Sequence, residues 1–272
     1  MIDSPDRRHL LAIAQQVTAQ ASELVRSNAP HILTSKGDRD LTSDVDTAVE
    51  RFVRNLLRQH TPGFGFLGEE SGGTDRTEGL CWVLDPVDGT INLIHGLPLC
   101  AVSLSLLKDN STIVGVIDMP FLGTQYHALI NHGSYVENQL LHVSTTHALN
   151  TALVSIDQYS FSTGSEYKNV IRRRLVEHLA SHVQRVRMLG ASSIDLAWTA
   201  HGWLDACIML GNKPWDTSAG VLIAREAGAR VLDLHGANHT MDSSSTIAVT
   251  PTLEHELMAA VRGAIADTAI TE

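Results

Sequence analysis

The sequence predicts a mixed α/β protein in which helices pack over β-sheets. Three observations along the 272 residues support this fold class. Two stretches with helical periodicity open the chain, β-hairpin patterns occupy its middle, and short apolar runs alternate with helical patterns after residue 150. We therefore expect two parts, an α+β half over residues 1–150 and an α/β half over residues 151–272.

The first two elements are predicted to be helices. Apolar residues recur at helical spacing between Leu10 and Val25, which predicts an amphipathic helix there. Ser43 is a candidate N-cap for a second helix that reaches Leu56, because a serine oxygen can accept a hydrogen bond from a free N–H of the first turn.

Strands are expected next. The apolar run at 80–84 predicts a buried strand that ends where Asp85 begins a turn. Runs at 101–107 and 113–119 predict an antiparallel hairpin, and a further strand is expected near 126–131. The second half alternates, with strands expected at 152–156, 186–189, 204–209, 231–234 and 246–249, and helices at 170–181, 193–200, 217–228 and 253–266.

The most informative segment follows the strand at 80–84. Asp85 and Asp88 lie three residues apart, Pro86 fixes the backbone between them, and Gly89 permits a close approach of the backbone. Two carboxylates and the Val87 carbonyl can then converge, and oxygen donors of this kind suit Mg²⁺. Taken alone, Asp-Pro and Asp-Gly pairs are also simple turn formers.

Two further acidic junctions favour the metal interpretation. Glu69 and Glu70 follow another short apolar segment, and Asp216 lies where one element ends and a helix begins. Asp216 could also be the N-cap of that helix, since aspartate is a preferred capping residue. A cap does not account for three acidic junctions in one chain.

These segments resemble the inositol monophosphatase family, within the wider lithium-sensitive, Mg²⁺-dependent phosphatase superfamily. Residues 84–92 fit its first signature, and Trp215, Asp216, Ala219 and Gly220 fit its second, W-D-x-x-A-G. The Gly-Glu-Glu-Ser segment at 68–71, Lys36 and the stretch 40–46 occur in the expected order. The resemblance covers nearly the whole chain and implies a layered α-β-α-β-α sandwich of the sugar phosphatase and inositol monophosphatase type, usually a homodimer.

The resemblance also implies a site with two to three Mg²⁺ ions. The implied ligands are the carboxylates of Glu69, Asp85, Asp88 and Asp216 and the backbone carbonyl of Val87. Glu69, Thr90 and Asp46 are the implied catalytic residues, with Thr90 and Asp46 orienting the attacking water. Asp88, Gly89 and Thr90 would contact the phosphate, so we expect a phosphomonoesterase that uses direct water attack.

The substrate is less well determined. Gly190, Ala191 and Ser192 match a substrate-lining segment of the family, and Met209 stands where these enzymes have a glutamate that binds cyclitol hydroxyls. Lys213 introduces a cation near the leaving group. The identity of the substrate is therefore left open among a small sugar, cyclitol, nucleotide or histidinol phosphate. A bisphosphate phosphatase would need further basic residues, of which few are apparent, and an interaction protein of the transcription machinery is the remaining alternative.

Composition narrows the class of protein. The net charge is −10 and there is no Lys/Arg-rich stripe, so we expect no nucleic-acid partner. The sequence has no apolar run long enough for a membrane span, so we expect no membrane partner either. Cys81, Cys100 and Cys207 have unrelated spacings in apolar surroundings, which favours reduced thiols in a cytoplasmic protein. The basic cluster Arg172–Arg174 is interpreted as a solvated helix face.

Overall fold

A computed structural model describes residues 4–28, 30–37, 40–73, 79–161, 164–211 and 213–268. The helices in these ranges are α1 (Ser4–Ser27), α2 (Asp44–His60), α3 (Thr90–Ile94), α4 (Glu166–His182), α5 (Ser192–Ala200), α6 (Pro214–Glu226) and α7 (Glu254–Thr268). The strands are β1 (Leu33–Gly37), β2 (Asp40–Ser43), β3 (Gly65–Gly68), β4 (Gly72–Gly73), β5 (Leu80–Asp88), β6 (Ala101–Lys108), β7 (Ser111–Met119), β8 (Thr124–Leu129), β9 (Ser134–Val136), β10 (Gln139–Leu140), β11 (Leu153–Ile156), β12 (Arg185–Arg187), β13 (Ala206–Met209), β14 (Arg230–Leu232) and β15 (Thr246–Val249).

Two large sheets organise these elements. The first has eight strands in the order β10-β9-β8-β7-β6-β5-β3-β4, and the second has five in the order β12-β11-β13-β15-β14. In the first sheet β3 and β5 are parallel and β5 to β9 are antiparallel. In the second sheet β11 runs parallel to both β12 and β13.

Three hydrophobic clusters hold five layers together. Helices α1 and α2 pack on one face of the eight-stranded sheet, α5 and α6 fill the space between the two sheets, and α4 and α7 cover the far face of the five-stranded sheet. Strand β6 shows the division, because Val102, Leu104 and Leu106 point toward α1 and α2 while Ser105 contacts Ser218 of α6. The layered α-β-α-β-α fold is confirmed. The division into two domains at residue 150 remains a prediction.

Most predicted elements occur within a few residues of their expected bounds, and the 101–119 hairpin turns at Asp109 and Asn110 as expected. The strand predicted for 80–84 is longer, since β5 continues through Asp85 to Asp88. The pairing register with β6 shifts between Asp85 and Asp88, so one extra residue bulges from the ladder. The expected turn is therefore a bulge inside a strand.

The prediction that Arg172–Arg174 forms a solvated face is wrong for Arg172. Its side chain is only 2% exposed and pairs with Asp157 at 2.5 Å. Arg172 belongs to the buried side of α4, where Ile171 and Leu175 enter the core, and its charge is matched by a carboxylate from the end of β11. The cysteines Cys81, Cys100 and Cys207 are free and buried, as predicted.

Within the described residues, no helix combines the length and the apolar composition needed to cross a bilayer.

Candidate active site

The parallel pairing of β3 and β5 places two acids side by side. Gly68 is in register with Leu84. The residues that follow them, Glu69 and Asp85, therefore lie side by side. The amide of Glu69 continues the ladder by donating to the Leu84 carbonyl at 3.2 Å. Strand register alone therefore brings together two of the predicted metal ligands.

Glu50 of α2 holds the loop that carries Glu69. Its two carboxylate oxygens accept hydrogen bonds from the amides of Glu70 and Ser71 at 2.8 and 3.0 Å. A Cβ atom on Gly68 would lie 2.2 Å from a Glu50 oxygen, so a side chain there would displace the Glu50 carboxylate from these two amides. Glu50 was not predicted from the sequence, because only the fold brings α2 beside this loop.

The bulge at the end of β5 orients its own donors. The amide of Val87 donates to the Asp85 carboxylate at 3.0 Å, and Val87 itself is buried. Gly89 adopts φ +90°, and a Cβ atom there would lie 2.6 Å from the Leu99 carbonyl. The chain can then enter α3 directly at Thr90.

Asp46 and Thr90 form the predicted pair. The Thr90 hydroxyl lies 2.7 Å from Asp46 Oδ1 and 2.9 Å from the Val87 carbonyl. The other oxygen of Asp46 accepts from the amide of Ser43 at 3.0 Å and from its hydroxyl at 2.5 Å, which completes a capping box at the start of α2. The predicted N-cap role of Ser43 is confirmed, and Asp46 is fully buried.

Asp88 connects β5 to the second half of the chain. One of its carboxylate oxygens accepts from the amide of Ser193 at 2.6 Å and from its hydroxyl at 2.5 Å. The Ser192 amide also donates to this carboxylate. The N-cap of α5, Ala191, has no capping side chain, so Asp88 supplies the missing acceptor at that helix terminus from a distant strand.

Asp216 is not the N-cap of its helix. The N-cap is Lys213, and Asp216 occupies the third helical position, where it accepts from the Lys213 amide at 2.7 Å. Small residues bring this helix close to its neighbours. A Cβ on Gly115 would lie 2.8 Å from the Ala219 carbonyl, and one on Gly220 would lie 2.6 Å from Leu196. Ala219 and Gly220, the A-G of the W-D-x-x-A-G motif, therefore allow the close packing of α6, and this packing positions Asp216.

Burial and the charges of neighbouring carboxylates shift the pKa values of these acids. Burial raises the pKa of Asp85 well above its ordinary value, and three neighbouring carboxylates raise it further, those of Glu69, Asp88 and Asp216. Burial likewise raises the pKa of Asp216 to about 8, with contributions from Asp88 and Glu69. Burial also raises the pKa of Asp88, although its hydrogen bonds from Ser193 oppose the shift.

The donor chemistry fits a hard divalent cation. Four carboxylates and a backbone carbonyl offer only oxygen, and like charges at this spacing are unfavourable unless protons or a cation neutralise them. No three His, Cys, Asp or Glu side chains in the described ranges are grouped tightly enough as placed to hold a metal. A bound ion would therefore have to draw these oxygens together by small side-chain movements.

The predicted substrate segment is brought to the same place. Gly190 has φ +77° and lies against Asn92, whose side-chain amide donates to the carbonyls of Leu99 and Leu189 at 2.8 Å each. Ala191 lies opposite Gly89, since a Cβ on that glycine would be 3.2 Å from the Ala191 Cβ. The Asn of the first signature thus joins the two halves of the site.

Met209 and Lys213 differ in their position. Met209 is 1% exposed and belongs to the core between the sheets, so its position does not support the substrate-lining role expected for it. The reason is that β13 is covered on that face by α5 and α6, where a thioether packs well. Lys213 is exposed at the start of α6, beside Asp216. The side chains of Lys36 and Asp40 lie outside what the structure describes.

Comparison with known proteins agrees with this geometry. The model of the inositol monophosphatase family matches residues 6–266. The inositol-1-monophosphatase ImpA of Mycolicibacterium smegmatis is 34% identical over 254 residues, which cover 93% of this chain and 92% of that protein.

Solved structures show the same likeness. SuhB of Mycobacterium tuberculosis superposes with a TM-score of 0.79 at 31% identity, over 94% of this chain and 97% of the other. The extragenic suppressor protein suhB of Bartonella henselae gives a TM-score of 0.87 at 26% identity, over 93% and 98%. The family is metal-dependent, generally on Mg²⁺. This chain therefore belongs to the inositol monophosphatase family, and it is a phosphoric monoester hydrolase.

Proposed function

We propose that the protein is a Mg²⁺-dependent phosphomonoesterase that hydrolyses the phosphate ester of a small sugar, cyclitol or related alcohol by direct attack of water. The observation that carries the proposal is the convergence of Glu69 and Asp216 on the buried Asp85, whose pKa burial and then their charges raise, beside the hydrogen-bonded pair of Thr90 and Asp46. The names of the relatives, inositol-1-monophosphatases, support the substrate class.

The carboxylates and the Val87 carbonyl are proposed to hold the metal ions. Glu69, Asp85 and the Val87 carbonyl would hold one ion, and Asp85, Asp88 and Asp216 a second, with Glu69 contributing to a third. When bound, Mg²⁺ would lower the pKa of a water, neutralise phosphate oxygens and stabilise the leaving alkoxide. Two to three such ions, held by these residues, would supply the charge stabilisation that this slow reaction requires.

Thr90 and Asp46 would orient the attacking water. Asp46 is buried, and Ser43 fixes its second oxygen. Its first oxygen can therefore accept a hydrogen bond from the Thr90 hydroxyl without moving. The Thr90 oxygen is then left with lone pairs that can accept a hydrogen from water. The amides of Gly89 and Thr90 are proposed to bind phosphate oxygens, and Gly190, Ala191 and Ser192 to line the alcohol.

Further properties of the family are proposed for this chain as well. Inhibition by Li⁺, a homodimeric state and a cytoplasmic location are supported by the family likeness, and the three free cysteines support a reducing compartment. Light scattering on the purified protein tests the dimer, and phosphate release at increasing Li⁺ tests the inhibition.

A phosphate-release screen tests the reaction. The purified protein is incubated with inositol, sugar, nucleotide and histidinol phosphates in Mg²⁺, in Mg²⁺ with excess EDTA, and as the Asp88→Asn variant. We expect release from at least one small alcohol phosphate, loss of release in EDTA and loss in the variant. Turnover that persists in EDTA or in Asp88→Asn would contradict the proposal.

A further inference from the structure

A buried hydroxyl lies on the eight-stranded sheet next to the proposed metal ligands. Ser103 of β6 is 1% exposed, and its hydroxyl has no hydrogen-bond partner among the residues that the structure describes. A polar group that leaves water without gaining a new partner is unfavourable, so nearly all buried polar groups in proteins are hydrogen-bonded. An exception at this place indicates a partner that the hydroxyl gains when the site is loaded.

The pairing of β5 and β6 sets Ser103 beside Asp85. The two residues are directly opposite each other in this antiparallel pair. Side chains at such positions project from the same face, with Cβ atoms about 4.5–5.5 Å apart. A serine hydroxyl and an aspartate carboxylate at this separation can form a hydrogen bond once their side chains rotate to suit it. Strand register therefore keeps the hydroxyl within reach of the carboxylate.

The face that carries Ser103 is the one that α6 approaches. Leu104, which follows Ser103, enters the core under α1 and α2, and successive side chains of a strand point to opposite faces. Two positions along β6, the hydroxyl of Ser105 lies 2.6 Å from that of Ser218 in α6. The same helix carries Asp216 in its first turn. Ser103 therefore lies on the face where β5 and α6 bring the proposed metal ligands.

The other neighbours of Ser103 on this face are poorer acceptors. Across the strands, Ser103 is opposite Ile117 of β7 on its second side. Along β6, the adjacent positions on the same face are Ala101 and Ser105, and the Ser105 hydroxyl is already paired with α6. Asp85 is therefore the one carboxylate among the four nearest positions of the sheet.

Asp85 has room for another donor. One of its oxygens accepts from the Val87 amide at 3.0 Å, and Glu69 also hydrogen-bonds to this carboxylate. An ionised carboxylate offers about four acceptor positions, so these contacts leave capacity for a hydroxyl. Carboxylates that bind a metal are commonly held by such outer hydrogen bonds, which fix their orientation.

We propose that Ser103 is a positioning residue for the metal site, whose hydroxyl donates a hydrogen bond to Asp85 when that carboxylate holds a divalent cation. The inference rests on the proposed function, which assigns Asp85 to both of the first two ions. A hydrogen bond to an ionised carboxylate is stronger than one between neutral groups, so it both satisfies the buried hydroxyl and fixes the shared ligand.

Magnesium titrations of two serine variants test this role without turnover. The melting temperature is measured in EDTA and at increasing Mg²⁺ for the wild type, Ser103→Ala and the control Ser134→Ala. Ser134 of β9 is fully buried, and its hydroxyl also has no partner among the described residues. It lies in the same sheet, four strands away from β5 and therefore roughly 19 Å from Asp85.

The two variants should differ only in Mg²⁺. Both should melt in EDTA at the wild-type temperature or above it, because each loses a buried hydroxyl that has no partner. For Ser103→Ala, we expect the Mg²⁺ concentration that gives half of the stabilisation to rise at least about tenfold. Ser134→Ala should keep the wild-type value. Ser103→Thr, which retains the hydroxyl and suits a strand, should lie within about threefold of the wild type.

Equal Mg²⁺ dependence in the wild type and Ser103→Ala would overturn the inference, as would an equal loss in Ser134→Ala. A Ser103→Thr protein that melts like the wild type in EDTA but binds Mg²⁺ as weakly as Ser103→Ala would also overturn it. Phosphate release is measured in parallel. Absence of release by the wild type, with the expected order of Mg²⁺ affinities, would reject the proposed function and leave the role of Ser103 in place.

Discussion

Asp46 and Asp216 occupy the same position in two helices and have opposite environments. Each is the third residue of its helix and accepts a hydrogen bond from the amide of the N-cap residue. Asp46 is fully buried, and both of its oxygens are engaged, one by Ser43 and one by Thr90. Asp216 has the capping bond to Lys213 and otherwise faces acids, which help to raise its pKa to about 8.

The comparison shows that a helix terminus fixes where an acid lies, and its tertiary neighbours decide what it can do. Hydrogen-bond donors surround Asp46, so its carboxylate is held in one orientation and can hold Thr90 in turn. Like charges surround Asp216, so its ionised form requires a cation. Removing either carboxylate should therefore give different combinations of lost activity and lost stability.

The largest effect is expected for Asp216→Asn. Because the amide cannot supply the charge that a divalent ion requires, we expect kcat/KM for phosphate release to fall at least about a thousandfold. The melting temperature in EDTA should stay the same or rise, since one of several mutually repelling carboxylates is removed. Asp109→Asn, in the hairpin turn at the far end of β6, is the matched control and should leave both quantities unchanged.

Asp46→Asn should reduce both activity and stability. Asparagine keeps only one acceptor oxygen and turns an NH₂ group toward either Ser43 or Thr90, which are both donors to Asp46, so one of these two hydrogen bonds is lost. We expect kcat/KM to fall about a hundredfold and the free energy of unfolding to fall by about 1–3 kcal/mol. Activity at the wild-type level with the stability loss present would show that Asp46 serves only the helix cap.

The next largest effect is expected in the pH dependence of stability, to which Asp216 should contribute. The pKa of Asp216 in the folded state, about 8, lies above its ordinary value of 3.8, so folding favours the protonated form. This contribution is fully present below about pH 4 and is lost as the pH rises through about 8. We expect the free energy of unfolding in EDTA to decline over that window, and Mg²⁺ to stabilise the protein more at pH 8 than at pH 6.

Denaturant titrations in EDTA and in Mg²⁺ at each pH measure this dependence. Asp216→Asn should flatten the decline in EDTA, because the titrating group is gone. A decline of equal steepness in the variant would assign it to Asp85 and Asp88, whose pKa values burial also raises.

The smallest effect is expected for Ser43→Ala. The substitution removes a helix N-cap and one of the two donors to Asp46, while the Ser43 amide keeps its bond. We expect the free energy of unfolding to fall by about 1 kcal/mol and kcat/KM by about two- to threefold. If kcat/KM fell as far as in Asp46→Asn, the hydroxyl of Ser43 would be what orients that carboxylate.

The acidic residues proposed for the site can be picked out from the sequence because each lies at a junction that local chemistry marks. A strand end followed by Asp85 and Pro86, and a capping signal at Ser43, are visible within a few residues of sequence. Glu50 and Ser193 were missed because their partners, the 68–71 loop and Asp88, are distant in the chain. The Ser192-Ser193 pair at a helix start is the one local signal that could have identified the second.

One interpretation failed for a physical reason. Arg172 was assigned to a solvated face. It is buried against Asp157, which lies 15 positions earlier in the chain. Periodicity shows which face of α4 is apolar, but it does not show which charged residues of that helix face the end of a neighbouring strand.

The sequence by itself determined the class of fold and the reaction family, and it predicted the ligand chemistry, because hydrophobic periodicity and short motifs act over a few residues and survive without tertiary context. Only the tertiary structure decided the sequestration of Met209 and the fixing of Asp46 and Thr90. These depend on strand register, on crossover direction and on the close packing of α5 and α6, all of which join residues far apart in the chain.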